Sequence, residues 1–175
     1  MPYQDFRQFL DVLRQHGELV DVNRPIALND VGKAMKQSYV RQGPAIMFNR
    51  NGTDYPLVAG IYSTRSKALL AFEADEDTIF DKVLTGLDNP IAPTAVSGKA
   101  PCQDEVITGE DIDIRRWPIP TYSPKDGGPY ITPGIVVSED PETGVPDIGH
   151  YRFRSTTPSH KEGSWWPRLW LCGHT

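Results

Sequence analysis

Residues 130–154, YITPGIVVSEDPETGVPDIGHYRFR, decide how the second half of this chain folds. Tyr130 to Ser138 is rich in Ile and Val, the composition of a β-strand. Asp140-Pro-Glu-Thr-Gly144 reads as a turn, because proline suits its second position and glycine is free to take positive φ. Ile148 to Arg154 returns as the partner strand, alternating in part between apolar and polar positions. Trp165 to Cys172 is a third strand candidate, and this half has no convincing helix pattern.

Upstream, Pro90, Pro93 and Pro101 punctuate a stretch without helical period, where extended chain is favoured. The domain boundary is expected there, with residues 1–98 in one domain and 104–175 in the next. The first half alternates helix and strand patterns. Phe6, Phe9, Leu10 and Leu13 fall on one helical face, stopped by Gly17. Leu19 to Val22 reads as a strand closed by Pro25. Asn29 or Asp30 is expected to cap a helix carrying Val31, Ala34, Met35 and Tyr39, ended by Gly43-Pro44. Ala45 to Phe48 and Leu57 to Tyr62 are strands. A helix capped by Ser63 or Thr64 runs through Leu69, Leu70 and Phe72, and a last one carries Ile79, Phe80, Val83, Leu84 and Leu87. The expected fold class is α+β: an α/β domain followed by part of a β-barrel.

The net charge of −5 and the lack of a Lys/Arg run argue against nucleic acid as a partner. No apolar stretch approaches a membrane helix, and no export signal opens the chain. Cys102 and Cys172 have no paired spacing, so a reduced, cytoplasmic setting is the simplest expectation.

Four segments, in this order and spacing, resemble the UbiD family of decarboxylases. They are Pro101-Cys-Gln-Asp-Glu-Val106, Trp117-Pro-Ile-Pro120, Asp126-Gly-Gly-Pro-Tyr-Ile-Thr132, and Asp140-Pro-Glu-Thr-Gly144 running into Asp147-Ile-Gly-His-Tyr-Arg152. Each alone is a weak signal; four in order are specific. The Asp5-Phe6-Arg7 start and Gly43-Pro44-Ala45 are similar in pattern. The resemblance implies a split β-barrel binding prenylated FMN, its phosphate held through Mn²⁺ (or Mg²⁺) and K⁺. It also implies reversible, non-oxidative decarboxylation of an aromatic or α,β-unsaturated acid through a covalent flavin adduct. A UbiX-type flavin prenyltransferase as cofactor supplier and a homo-oligomeric full-length form follow from the same resemblance.

The family's barrel motif has the form Asn-x-x-x-x-Arg. By resemblance Asp147 takes the metal-ligand position and Arg152 that of the catalytic arginine, near the flavin and the substrate carboxylate. Thr132 matches a cofactor contact, with Gly149 and His150 on the strand beside it. Gly173-His174 is similar to the segment carrying the second metal ligand, so His174 is its candidate. Asp147 departs from the family's Asn. A carboxylate is the better ligand for a hard cation, but it adds negative charge beside a phosphate. The family continues well beyond the point matching Thr175. The third metal ligand, the proton donor and the acids that orient the arginine are expected in that later stretch, leaving Arg152 without orienting partners here.

Residue chemistry by itself leaves blander readings open. Asp147 and Arg152, five apart, lie on opposite faces of a regular strand unless a bulge intervenes, and so read as a turn aspartate and a solvated arginine. His150 reads as a barrel or surface residue, and His174 is terminal. A Cys172–His174–Asp147 nucleophile site and a zinc site from Cys102, Cys172, His150 and His174 both lack supporting spacing. Trp165, Trp166 and Trp170 suit a core or interface. Gly127-Gly128 is no phosphate loop, since no Lys-Ser/Thr pair or helix follows it. Two functions remain: an enzyme whose N-terminal part this is, or a flavin- and metal-binding or assembly module that needs a second polypeptide for catalysis.

Overall fold

The computed structural model describes residues 3–92, 94, 97–156 and 168–171. Its elements are mixed helix and strand. The first half holds helix α1 (Phe6–Gln15), strand β1 (Leu19–Val22), α2 (Leu28–Val40), β2 (Ala45–Phe48), β3 (Leu57–Ala59), α3 (Arg65–Phe72) and α4 (Ile79–Asp88). The second half holds three single 3-10 turns, then β4 (Tyr130–Glu139), β5 (Pro146–Thr156) and β6 (Arg168–Leu171). The sheets are ordered β1-β2-β3 and β4-β5-β6. Among the described residues no helix is long and apolar enough to cross a membrane.

Local chemistry accounts for the helix ends. The Asp5 carboxylate caps α1 by accepting from the Gln8 N–H at 2.8 Å. At the other end Gly17 takes φ +71, while its N–H donates to Arg14 O and the Glu18 N–H donates to Leu13 O. That paired reversal uses up two otherwise unsatisfied carbonyls. Thr64 caps α3. The start of α2 differs from expectation. Asn29 and Asp30 lie inside its first turn, where Asp30 pairs with Lys33 at 2.7 Å. The Ile26 N–H donates to Arg50 O and fixes the chain just upstream, so the helix begins earlier. β3 is also shorter than the expected strand, because Gly60 at φ +78 turns the chain after Ala59.

The chain forms two compact units that interleave along the sequence. The first comprises Met1–Asp21, Ser38–Met47 and Val58–Asp113. Its core sets Phe9, Leu10 and Leu13 of α1 with Leu19, Ala45 and Met47. The amphipathic period of α1 thus finds its partner, although Phe6 stays half exposed. Lys67 of α3 is fully buried: its ammonium donates to Gly43 O at 2.6 Å and lies 3.6 Å from the Glu18 carboxylate, which also accepts from Ser66. Glu18 O in turn accepts from the Ala45 N–H. Phe80, Leu84 and Leu87 of α4 remain exposed, so its equally clear period has no partner among the described residues.

The second unit comprises Val22–Gln37, Phe48–Leu57 and Ile114–Thr175. Val31, Phe48 and Pro120 are its fully buried anchors. Asn51 is buried and pins its own loop, donating to Phe48 O and Tyr55 O and accepting from Thr53. Asp54 pairs with Arg116 at 2.6 Å, and the Tyr55 and Trp117 rings meet at 5.8 Å. The 117–122 segment is therefore held by first-half residues. At its end, Pro120 O accepts from the Tyr130 N–H and starts the hairpin.

Candidate functional site

The β4–β5 hairpin carries most of the sequence-predicted site residues. Its turn is built as expected. The Asp140 carboxylate accepts from the Glu142 and Thr143 N–H groups at 2.9 and 2.7 Å, and Gly144 takes φ +68. Those donors hold the Asp140 carboxyl below its ordinary range.

Register decides which side chains share a face. Gly134 pairs with Tyr151, Ile135 with His150, Val137 with Ile148 and Ser138 with Asp147. The register shifts between Ile131, opposite Phe153, and Gly134, so Thr132 and Pro133 together oppose Arg152. This is a β-bulge on β4, a position where a proline without an N–H is tolerated. Alternation along β5 puts Ile148, His150, Arg152 and Arg154 on one face, and the pairing adds Tyr130, Ile135 and Val137 from β4. The bulge keeps Thr132 on that side as well.

The opposite face carries aromatic rings laid along the sheet. A Cβ on Gly149 would overlap the Tyr151 ring, and one on Gly134 would overlap the Phe153 ring. Gly149 thus makes room for a neighbouring ring and lies on the face away from Arg152. Asp147 shares that second face and is exposed. It stands about 16 Å along the strand from Arg152. The hairpin therefore brings Thr132, His150 and Arg152 together and sets Asp147 and Gly149 apart from them. His174, Cys172, Trp165 and Trp166 lie outside the described residues. Among the described residues no group of three or more His, Cys, Asp or Glu could hold a metal.

Three neighbours escaped the sequence reading. The Arg152 guanidinium carbon lies 5.8 Å from the centre of the Tyr130 ring. The Tyr122 hydroxyl is 3.4 Å from the Thr132 hydroxyl. Arg154 runs beside Gly127, where a Cβ would stand 3.1 Å from its Nη1. All three contacts depend on strand register or chain return, which no spacing rule exposes. Chemically, this face offers two guanidinium groups and two hydroxyls beside exposed Ile135, Val137 and Ile148. That donor set fits an anionic group attached to a flat apolar one. The fit extends to a flavin phosphate or a carboxylate. The described residues do not by themselves complete a metal site: Asp147 is a hard oxygen donor of the right kind, but it supplies a single carboxylate where a divalent cation takes about six ligands or more.

Two family models match. The 3-octaprenyl-4-hydroxybenzoate carboxy-lyase N-terminal domain covers residues 10–87, and the Rift-related domain of the same enzyme covers residues 94–168. Fold and matches together define the N-terminal and Rift-related domains of one family. The chain belongs to the UbiD family.

Solved structures agree. An evolved dimeric form of the UbiD-class enzyme HmfF from Pelotomaculum thermopropionicum, in complex with prFMN, is 26% identical with a TM-score of 0.79, over 87% of this chain and 36% of that one. Vanillic acid decarboxylase from Sedimentibacter hydroxybenzoicus, in open form with truncated ShVdcD, is 28% identical with a TM-score of 0.79, over 88% and 36%. Apo 3,4-dihydroxybenzoic acid decarboxylase (AroY) from Klebsiella pneumoniae is 25% identical with a TM-score of 0.80, over 88% and 35%. The chain thus spans about a third of the length of these relatives.

Proposed function

We propose that this chain is the flavin-facing N-terminal part of a UbiD-type decarboxylase acting reversibly on an aromatic or α,β-unsaturated carboxylic acid. One observation carries the reading: Thr132, His150 and Arg152 share a hairpin face with exposed apolar residues, within a fold similar to that of a prFMN-bound enzyme. When bound, prenylated FMN supplies the electron sink for departure of CO₂. The residues of this chain bind and orient. Arg152 faces the flavin and adds to its binding, and it attracts and orients the substrate carboxylate, since a guanidinium presents paired donors to an anionic group. Thr132, steadied by Tyr122, donates a hydroxyl hydrogen bond to the cofactor. Ile135, Val137 and Ile148 exclude water from the ring that covers them.

Asp147 and His174 are proposed as ligands of Mn²⁺ or Mg²⁺, with K⁺ nearby, and no chemical step is drawn through the metal. A UbiX-type prenyltransferase would supply the cofactor in a cytoplasmic setting, and the full-length form would be a homo-oligomer. A second reading, an assembly module completed by another polypeptide, is favoured by the exposed apolar face of α4.

The test is a graft. Residues 1–175 replace the corresponding third of HmfF, and CO₂ release is followed with prenylated FMN, Mn²⁺ and a panel of aromatic and acrylic acids. The proposal expects turnover that Arg152→Ala abolishes. A folded, flavin-loaded graft whose turnover ignores Arg152→Ala would overturn it.

A further inference from the structure

We propose that Tyr130 is the positioning residue for Arg152, its ring holding the guanidinium on the Thr132 side of the hairpin. The inference rests on the function proposed above, in which the direction of Arg152 matters. Among the described residues Arg152 has no ion-pair partner, and on an exposed strand face an arginine would sweep freely through solvent. Its guanidinium carbon instead lies 5.8 Å from the Tyr130 ring centre, within reach of the ring's negative face.

The ring is itself anchored through the backbone. The Tyr130 N–H donates to Pro120 O at 3.1 Å, and the Ser155 N–H donates to Pro129 O at 2.9 Å. Tyr130 pairs directly with Arg154, so its ring reaches Arg152 on the diagonal. Arg154 runs beside the Gly127-Gly128 turn, which the Tyr130 hydroxyl also approaches, and the ring contact is with Arg152. The bulge at Thr132-Pro133 lies directly opposite Arg152, between it and the regular pairing of Tyr130 and Ile131. Arg152 is thus aimed by this part of the chain, before any carboxylate partner is added.

The test uses nuclear magnetic resonance on the 175-residue chain and FMN as the binding probe. The inference expects nuclear Overhauser contacts between the Tyr130 ring and the Arg152 δ protons, and an upfield ring-current shift of those protons. Tyr130→Phe keeps both the shift and FMN affinity. Tyr130→Leu returns the shift to its solvent value and weakens FMN about two- to fivefold, the range of an exposed cation–π contact. Absence of the Overhauser contact in the wild-type chain overturns the inference without need of a folded variant. So does a Tyr130→Leu shift identical to wild type in a chain whose amide spectrum is intact. If the ring contact is present but Arg152→Ala binds FMN as wild type does, the reading of Arg152 as a flavin-facing residue fails and the contact itself stands.

Discussion

Gly32, inside α2, faces the backbone carbonyl of Tyr122 so closely that a Cβ at position 32 would overlap its oxygen. A glycine within a helix ordinarily costs stability, about 1 kcal/mol against alanine. Here it permits α2 to seat the segment that leads into the hairpin. The normally helpful Gly32→Ala is expected to destabilise the fold by about 3 kcal/mol, because backbone must move to accommodate the methyl group. Urea unfolding checks this: an unchanged or raised midpoint would show that the close approach does not exist in solution.

Lys67 predicts a second large loss. Its side chain is wholly buried and donates to Gly43 O, with Glu18 beside it. Lys67→Ala removes packed methylenes and leaves a buried carbonyl without its donor, for about 3 kcal/mol. Ser66→Ala removes hydrogen bonds to the partly exposed Glu18 carboxylate and to the Thr64 hydroxyl, leaves no buried group unpaired, and is expected to cost about 1 kcal/mol. Equal thermal shifts for the two variants would contradict the ranking.

The hairpin turn carries a pH signature. The Thr143 and Glu142 donors hold the Asp140 carboxyl below its ordinary value of 3.8. A depressed carboxyl stabilises the turn while ionised. Its contribution is therefore complete above pH 3.8 and is lost as pH falls through the lower folded-state value. A carbon-13 titration of the Asp140 carboxyl is expected to show a midpoint below 3.8, and Asp140→Ala is expected to speed amide exchange at Glu142 and Thr143. A midpoint at or above the ordinary value would contradict the turn geometry.

Much of this fold is legible in the sequence because local rules act locally. The face of α1, the Gly17 stop and the Asp140–Gly144 turn each follow from residues within a few positions of one another. α4 marks the limit: the spacing of Phe80, Leu84 and Leu87 specifies an apolar face, yet that face is exposed. Periodicity reports that a face wants a partner and not whether one is present. The site divides in the same way. Thr132, His150 and Arg152 could be named from resemblance, but their common face depends on a bulge, a two-against-one pairing that strand alternation alone does not foretell. Tyr130 and Tyr122 were missed because their partners come from register and chain return. Gly32 reads in sequence as a flaw in a helix, and only the position of Tyr122 gives it a purpose.

The central claim, that the Thr132–His150–Arg152 face receives the flavin, is tested most directly by titrating FMN, with and without Mg²⁺, into the isotopically labelled 175-residue chain. Amide and methyl signals report where it binds. The prediction is that perturbations concentrate on Thr132, Ile135, Val137, Ile148, His150 and Arg152, and weaken in Arg152→Ala. Perturbations confined to the Tyr151 and Phe153 face, or to the first compact unit, would contradict it.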